Sequence, residues 1–283
     1  MHSTIRAFIA AVSCCVLAAC TPTISQRIKS ADAVAKKHKF DKVSVKGGKF
    51  WLTSYQKVLD KSAPYVVYIE GDGRVTSRYA ISSNPTPSRP MLLELAIADK
   101  RPNVIYLARP CQYDLNFIQN PFCNQEYWTN KRMSEDSIEG ISKAITNATH
   151  RRPVHLVGFS GGGGIAVLVA QRNKAVASIM TIAGNLDIVA FNKYHHTVQW
   201  VESLNPLDFA GQVNNIPQLH VSGAHDDVVP PFIADRFVQA SGDDHCITQF
   251  VAENAYHNSG WNKEWQKILN IPIVCRNQEY YHK

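Results

Sequence analysis

Apolar residues recur along this chain in short runs whose spacing switches between the period of a strand and that of a helix. Val43–Ser44–Val45 and the stretch Phe50 to Val58 alternate on either side of Gly47–Gly48, which predicts two early strands joined by a turn. Tyr65 to Ile69, Asn103 to Leu107 and Val154 to Val157 are compact apolar runs, the pattern of strands buried on both faces. Ile179 to Ala183, Gln218 to Ser222 and Gln249 to Glu253 read as later strands. Helices are predicted at Ala31 to Lys39, Met91 to Ala98, Met133 to Ala148 and Ile165 to Ala170. This alternation predicts an α/β architecture, a mostly parallel central sheet with helices on both faces. Ser82 to Pro90 is a proline-rich loop and Arg109 to Trp128 a long one. Leu186 to Val213 leaves room for a small lid only, so an open site is expected rather than a tunnel.

The Val154 strand runs directly into Gly158–Phe159–Ser160–Gly161–Gly162, with Gly163 and Gly164 opening the helix that follows. A Gly-x-Ser-x-Gly turn between strand and helix leaves a serine exposed above a sheet, a nucleophile elbow. Glycine in a first helical turn costs about 1 kcal/mol against alanine, so its use implies close approach of helix and strand. Two other glycine-rich readings fail on the same residues. A phosphate loop needs Lys and Ser or Thr after its last glycine, and Gly164 and Ile165 stand there. A dinucleotide fingerprint begun at Gly162 would end on Val167 instead of glycine.

A serine hydroxyl needs a histidine to take its proton and a carboxylate to orient that histidine. Past the strand at Gln218 comes Gly223–Ala224–His225–Asp226–Asp227, and past the strand at Gln249 comes a loop holding His257 and ending at Trp261. On Gly158 to Gly162, on the turn Gly223 to Pro230 and on His257, the chain resembles the α/β-hydrolase superfamily, in its serine esterase and lipase range. The topology is matched from about Lys42 to Trp261, though the specific motifs cover only those islands. The resemblance implies Ser160 as nucleophile, Asp226 as acid and His257 as base. Asp227 is the neighbouring competitor for the acid, and Asp187 occupies a rarer placement. His220 alternates within a strand, His225 adjoins the acid, His195 and His196 lie in a loop, and His245 adjoins a cysteine. Only His257 follows the acid at a strand end.

The resemblance also implies an oxyanion hole built from the Gly161 N–H and a second N–H in the loop after the Tyr65 strand. That loop reads Glu70–Gly71–Asp72–Gly73, with glutamate where a histidine is usual, and Asp72 N–H is the expected donor. Its side chain is then expected to turn away toward Arg74, Arg78 or Arg109. The implied activity is cleavage of a carboxylic ester through an acyl-enzyme intermediate, as in esterases, lipases and thioesterases. The alternative is a non-catalytic envelope lipoprotein using the fold as a binding module.

Residues 1–19 read as a signal peptide: a basic start at Arg6, an apolar run from Ala7 to Val16 too short to span a bilayer, then Leu17–Ala18–Ala19–Cys20. The last four resemble a bacterial lipobox, which implies lipidation of Cys20 and an anchor in the cell envelope; plain secretory cleavage is the alternative. Thr21 after the cysteine implies the outer membrane in a Gram-negative cell. Residues 20–40 are expected to be a tether and short surface helix, and residues 41–283 a single domain. Cys14 and Cys15 leave with the signal, so Cys111, Cys123, Cys246 and Cys275 remain, an even number suited to disulfides outside the cytosol. Of three connectivities, Cys111–Cys123 and Cys246–Cys275 is the simplest. The first bridge is then expected to brace one wall of the site, and the second to fasten the C-terminal segment near His257.

The formal net charge of +7 is spread over pairs such as Lys131–Arg132 and Arg151–Arg152, which read as solvated helix ends. No basic stripe or aromatic platform points to nucleic acid. No metal-type Cys/His spacing appears, and nothing calls for a cofactor. The expected partners are a small acyl substrate and a membrane reached through the lipid anchor.

Overall fold

The computed structural model describes residues 22–76 and 80–276. Eight strands among these residues form one sheet: β1 (Asp41–Gly47), β2 (Phe50–Val58), β3 (Tyr65–Ile69), β4 (Asn103–Leu107), β5 (Val154–Phe159), β6 (Val176–Ile182), β7 (Gln218–Gly223) and β8 (Ile247–Ala252). Their order is β1-β2-β4-β3-β5-β6-β7-β8. β1, β2 and β4 pair antiparallel, and every pairing from β4 through β8 is parallel. Among the described residues seven α-helices accompany the sheet: α1 (Ile24–Lys37), α2 (Met91–Ala98), α3 (Glu135–Ala148), α4 (Gly161–Ala170), α5 (Ile188–Tyr194), α6 (Phe232–Ala240) and α7 (Trp261–Leu269). The chain has the α/β-hydrolase fold.

Parallel strands need both faces covered, and β3 and β4 are buried at every position. α3 and α4 pack together on the sheet, α1 and α2 pack together, and α7 joins the second pair through Trp265. The Trp265 indole N–H donates to the Leu95 carbonyl in α2 at 2.9 Å, and its ring meets that of Tyr68 edge-on.

The register explains where a site can form. Ile69 lies opposite Gly158, Phe159 opposite Ile182, and Gly223 opposite Ala252, so β3, β5, β7 and β8 end along one edge. Between β3 and β5 the chain's progress across the sheet reverses. At such a switch point the loops diverge and leave a crevice beyond the carboxyl ends of the strands.

Helix α1 differs from expectation. Thr21 to Ser30 reads as a tether, yet the helix starts at Ile24. Thr23 and Gln26 close a reciprocal cap, the Thr23 hydroxyl accepting from Gln26 N–H at 3.2 Å and the Gln26 side chain from Thr23 N–H at 2.8 Å. Its packing face is built of Ala31 and Ala35, with buried Arg27 donating to the Thr86 carbonyl. Before Ala31 only Ile24 and Ile28 are bulky and apolar among polar and charged residues, so the apolar period there is short. The apolar pattern predicts no helix over α5 or α6.

Both disulfides join the expected partners, across 12 and 29 residues. The second lies elsewhere than expected. Cys246 precedes β8, whereas His257 follows its other end, roughly 20 Å away at about 3.3 Å per strand residue. That bridge ties the C-terminal segment to the opposite edge of the sheet.

Gly158 marks the tightest approach of strand and helix. A Cβ there would stand 2.2 Å from the Gly162 carbonyl oxygen and 2.6 Å from Gly163 Cα. Backbone cannot yield as a side chain does, so Gly158→Ala is expected to cost about 1–3 kcal/mol, the range for overpacking. Urea unfolding of the variant checks this; a midpoint equal to wild type would show that the contact is loose.

Candidate active site

Ser160 stands at the junction of β5 and α4 with φ 53° and ψ −122°, a conformation a serine adopts only under constraint. The constraint is a set of backbone bonds. Ser160 N–H donates to Ile182 O at 2.9 Å, and the Ser160 carbonyl accepts from Gly163 N–H and Asn185 N–H, each at 2.9 Å.

His257 reaches it from the loop after β8. Its Nε2 lies 3.1 Å from Ser160 Oγ, and its Nδ1 lies 2.9 Å from Asp226 Oδ2. Asp226 comes from the turn after β7, where its other oxygen accepts Val228 N–H at 2.9 Å and Val229 N–H at 2.8 Å. All three are buried side chains, at 9%, 8% and 4% exposure for Ser160, His257 and Asp226, so the chain of bonds is shielded from competing water. The Trp261 indole holds the His257 carbonyl at 2.9 Å, and Phe159 packs against the imidazole with ring centres 5.0 Å apart. Serine hydroxyl, imidazole and carboxylate are therefore in continuous hydrogen-bonding order. Such an arrangement can draw a proton from the hydroxyl and stabilise the resulting imidazolium.

The competing residues do not join this chain of bonds. Asp187 caps α5, accepting Val189 and Ala190 N–H at 3.1 Å each, and also binds Arg236 at 2.7 Å. Asp227 is exposed. His220 is buried in β7 against Thr181, and burial pushes its pKa down to about 4. His225 stacks on Tyr256, and His196 is exposed. His195 lines the same cleft as Ser160 but bonds the Val228 carbonyl at 2.7 Å.

The loop after β3 packs onto the elbow. A Cβ on Gly71 would come within 3.2 Å of Ser160 Cβ, and the position a Cβ would take on Gly161 is 2.3 Å from Asp72 Oδ1. Gly161 thus admits the Asp72 carboxylate beside the first turn of α4. That carboxylate pairs with Arg109 and with Arg132, the latter at 2.9 Å. Burial works against its charge, but Arg132 and Arg109 hold its pKa below the ordinary carboxylate value. Two guanidiniums against one carboxylate leave this cluster with a net positive charge beside Ser160, which favours a nearby anion.

Of the arginines expected to meet Asp72, Arg109 does so, Arg74 makes no ion pair with it among the described residues, and Arg78 lies outside them. Arg132 was missed: Lys131–Arg132 reads as a solvated basic pair. In the structure Arg132 is buried, its Nε holding Thr129 O at 2.7 Å and its guanidinium 3.7 Å above the Trp200 ring. The first disulfide does adjoin this wall. Gln112, next to Cys111, donates to Gly71 O at 2.9 Å and accepts Arg109 N–H at 3.0 Å. Cys20 lies outside the described residues.

Ser160, His257, Asp72 and Arg132 open onto a cleft of about 1190 Å³. Trp200 and Phe191, from the segment expected to form a small lid, supply part of its apolar lining.

No family model matches the chain, and no curated protein matches it. Solved structures do. An esterase of Pyrococcus furiosus superposes with a TM-score of 0.58 at 13% identity, covering 83% of this chain and 91% of that one. A membrane phospholipase A, described as a bacterial virulence factor, gives 0.54 at 15% identity over 87% and 91%. An acylaminoacyl peptidase of Pyrococcus horikoshii gives 0.57 at 14% identity, and the match covers 85% of this chain but 42% of the peptidase. A puromycin-hydrolysing peptidase of Mycobacterium tuberculosis likewise matches over only 36% of its length. These likenesses establish the α/β-hydrolase fold.

Glu70, standing where a histidine is usual, is buried and braces the same loop. Its carboxylate accepts Gly71 N–H at 2.8 Å and the Tyr106 hydroxyl at 2.6 Å, and Tyr106 in turn meets Tyr113. Burial pushes the Glu70 carboxyl up to about 7, more than its two hydrogen bonds and Arg109 pull it down. A raised carboxyl pKa means that the folded state holds the proton more tightly than the unfolded chain. Its contribution is complete below the ordinary carboxylate range and is lost as pH rises through about 7. Glu70→Gln removes that titration. The wild-type Tm is therefore expected to fall relative to the variant's between pH 5 and pH 8, and a difference constant across that span would contradict the assignment.

Proposed function

We propose that this chain is a serine hydrolase that cleaves carboxylic esters through an acyl-enzyme intermediate. One observation carries the reading: the continuous contact from Ser160 Oγ to His257 Nε2 at 3.1 Å and from His257 Nδ1 to Asp226 Oδ2 at 2.9 Å. Ser160 attacks the ester carbonyl while His257 takes its proton, and Asp226 holds the ring and stabilises the imidazolium. The tetrahedral oxyanion is met by Gly161 N–H and Asp72 N–H, next to the net positive Asp72–Arg109–Arg132 cluster. His257 then protonates the departing alcohol, and water repeats the sequence to release the acid. The cleft, with Trp200 and Phe191 in its wall, suits an apolar acyl group. The esterase and phospholipase among the similar folds are consistent with this chemistry.

Ser160→Ala is expected to lower kcat/KM on p-nitrophenyl acetate by about 10⁴ to 10⁶-fold with the fold intact. His257→Ala should cost a similar factor and Asp226→Asn less. Near-wild-type turnover in Ser160→Ala would end the reading. A larger loss in Asp187→Asn or Asp227→Asn than in Asp226→Asn would reassign the acid.

We further propose that Cys20 is lipidated and that the mature chain is held at the bacterial envelope, in the outer membrane of a Gram-negative cell. Leu17–Ala18–Ala19–Cys20 after a short apolar run supports this. Several acyl chains on one cysteine suffice for stable anchoring, at about 0.8 kcal/mol per buried CH₂. Intact mass is expected to give an acylated chain beginning at Cys20; a free amino terminus on a soluble protein would contradict it.

A further inference from the structure

The residues at the start of the described chain lie beside the mouth of the cleft. Pro22, Thr23 and Ile24 share a surface depression with Arg74 and Ile81, and those same two residues line the cleft that holds Ser160. The bond from Arg27 to Thr86 fastens α1 there, one residue from Pro87 in the cleft wall. Pro22, two residues after Cys20 in the sequence, therefore stands beside the active-site opening.

The rim has a matching character. Val198 and Val201 are 84% and 83% exposed, among the most exposed aliphatic side chains described, and both stand at this mouth. Ile81, 44% exposed, adds a third apolar group. Arg74 and Arg89 also border the opening, and neither forms an ion pair among the described residues. Glu202, the acid beside Val201, is already engaged by Lys131 at 3.4 Å and Asn130 at 2.8 Å. Exposed aliphatics flanked by guanidiniums that pair with no acid among the described residues suit a surface with an anionic layer over an apolar one.

We infer that this rim is a bilayer-contact face, and that the cleft opens toward the leaflet in which the Cys20 anchor sits. The acyl esters it takes are those carried in that leaflet, entering past Val198 and Val201 without crossing bulk water. The assignment of substrate rests on the proposed ester hydrolysis and on the anchor; the contact face stands on the rim itself. Anchoring at the same edge holds that face at the lipid surface at high effective concentration.

Two tryptophan probes test the face. Val198→Trp places a fluorophore on the rim. Leu59→Trp, at a site 70% exposed, places one just past β2, whose last residue pairs with the first residue of β4, at the end of the sheet away from the site. With the mature chain on vesicles of phosphatidylglycerol brominated on its acyl chains, the emission added by Val198→Trp is expected to drop at least twofold. The emission added by Leu59→Trp should hold. Quenching of Leu59→Trp alone, or of neither, overturns the proposal. So does a dimer that the pair Val198→Asp and Val201→Asp converts to monomer, because a second copy then covers the rim.

The same double variant separates contact from chemistry. Hydrolysis of p-nitrophenyl palmitate in vesicles is expected to fall at least tenfold, with soluble p-nitrophenyl acetate hydrolysis staying within twofold. Equal loss on both esters, or on neither, contradicts delivery from the leaflet. If the wild type cleaves neither ester while Val198→Trp is quenched, the hydrolase reading falls and the bilayer face stands.

Discussion

The backbone of Ser160 is the constraint around which this molecule is arranged. A serine at φ 53° and ψ −122° sits outside the conformations it prefers, at a cost of order 1–3 kcal/mol that neighbouring structure must offset. Its N–H is bonded to Ile182 in β6, and its carbonyl is bonded by Gly163 and Asn185, so both sides of the turn are tied down. The approach of α4 to β5 at Gly158 and to β3 at Gly162 leaves no room for side chains. The sheet, by ending four strands along one edge, delivers the other groups to the same place.

Electrostatics at that edge follows from which charges are paired. Asp72 stands beside Gly161, where burial works against its charge and Arg132 and Arg109 hold its pKa below the ordinary carboxylate value. The cluster keeps its positive excess beside Ser160. Glu70 lies behind it with a single arginine influence and full burial, so it is poised near neutrality instead. Two carboxyl groups two residues apart thus take opposite pKa shifts because their neighbours differ. Gln112 couples this loop to the segment closed by Cys111–Cys123, so the disulfide and the loop after β3 form one wall.

Much of the scaffold was legible from local pattern. Tyr65 to Ile69 and Asn103 to Leu107 read as buried strands because parallel strands are apolar on both faces, and both are strands over those residues. Ser160, Asp226 and His257 were implied by the resemblance to the α/β-hydrolase superfamily carried by Gly158 to Gly162, the turn after β7 and the loop after β8, and position past a strand end alone would also admit Asp187. Features that depend on distant partners were not legible. Helix α1 packs through alanines, a buried arginine and the partly buried Ile28 and Val34, so its first half carries only a short apolar period. Arg132 looked like half of a solvated basic pair because its partners, Asp72 and Trp200, are 60 and 68 residues away. The second disulfide could be paired by proximity in sequence, but its place at the far edge of the sheet depends on strand direction.

The central claim is that Ser160 is an activated nucleophile. Incubation of the native protein with a fluorophosphonate probe, followed by peptide mapping, reads this directly. The account predicts one covalent adduct, on Ser160, lost on heat denaturation and greatly slowed in His257→Ala. An unlabelled native protein, or an adduct on a different serine, would contradict it.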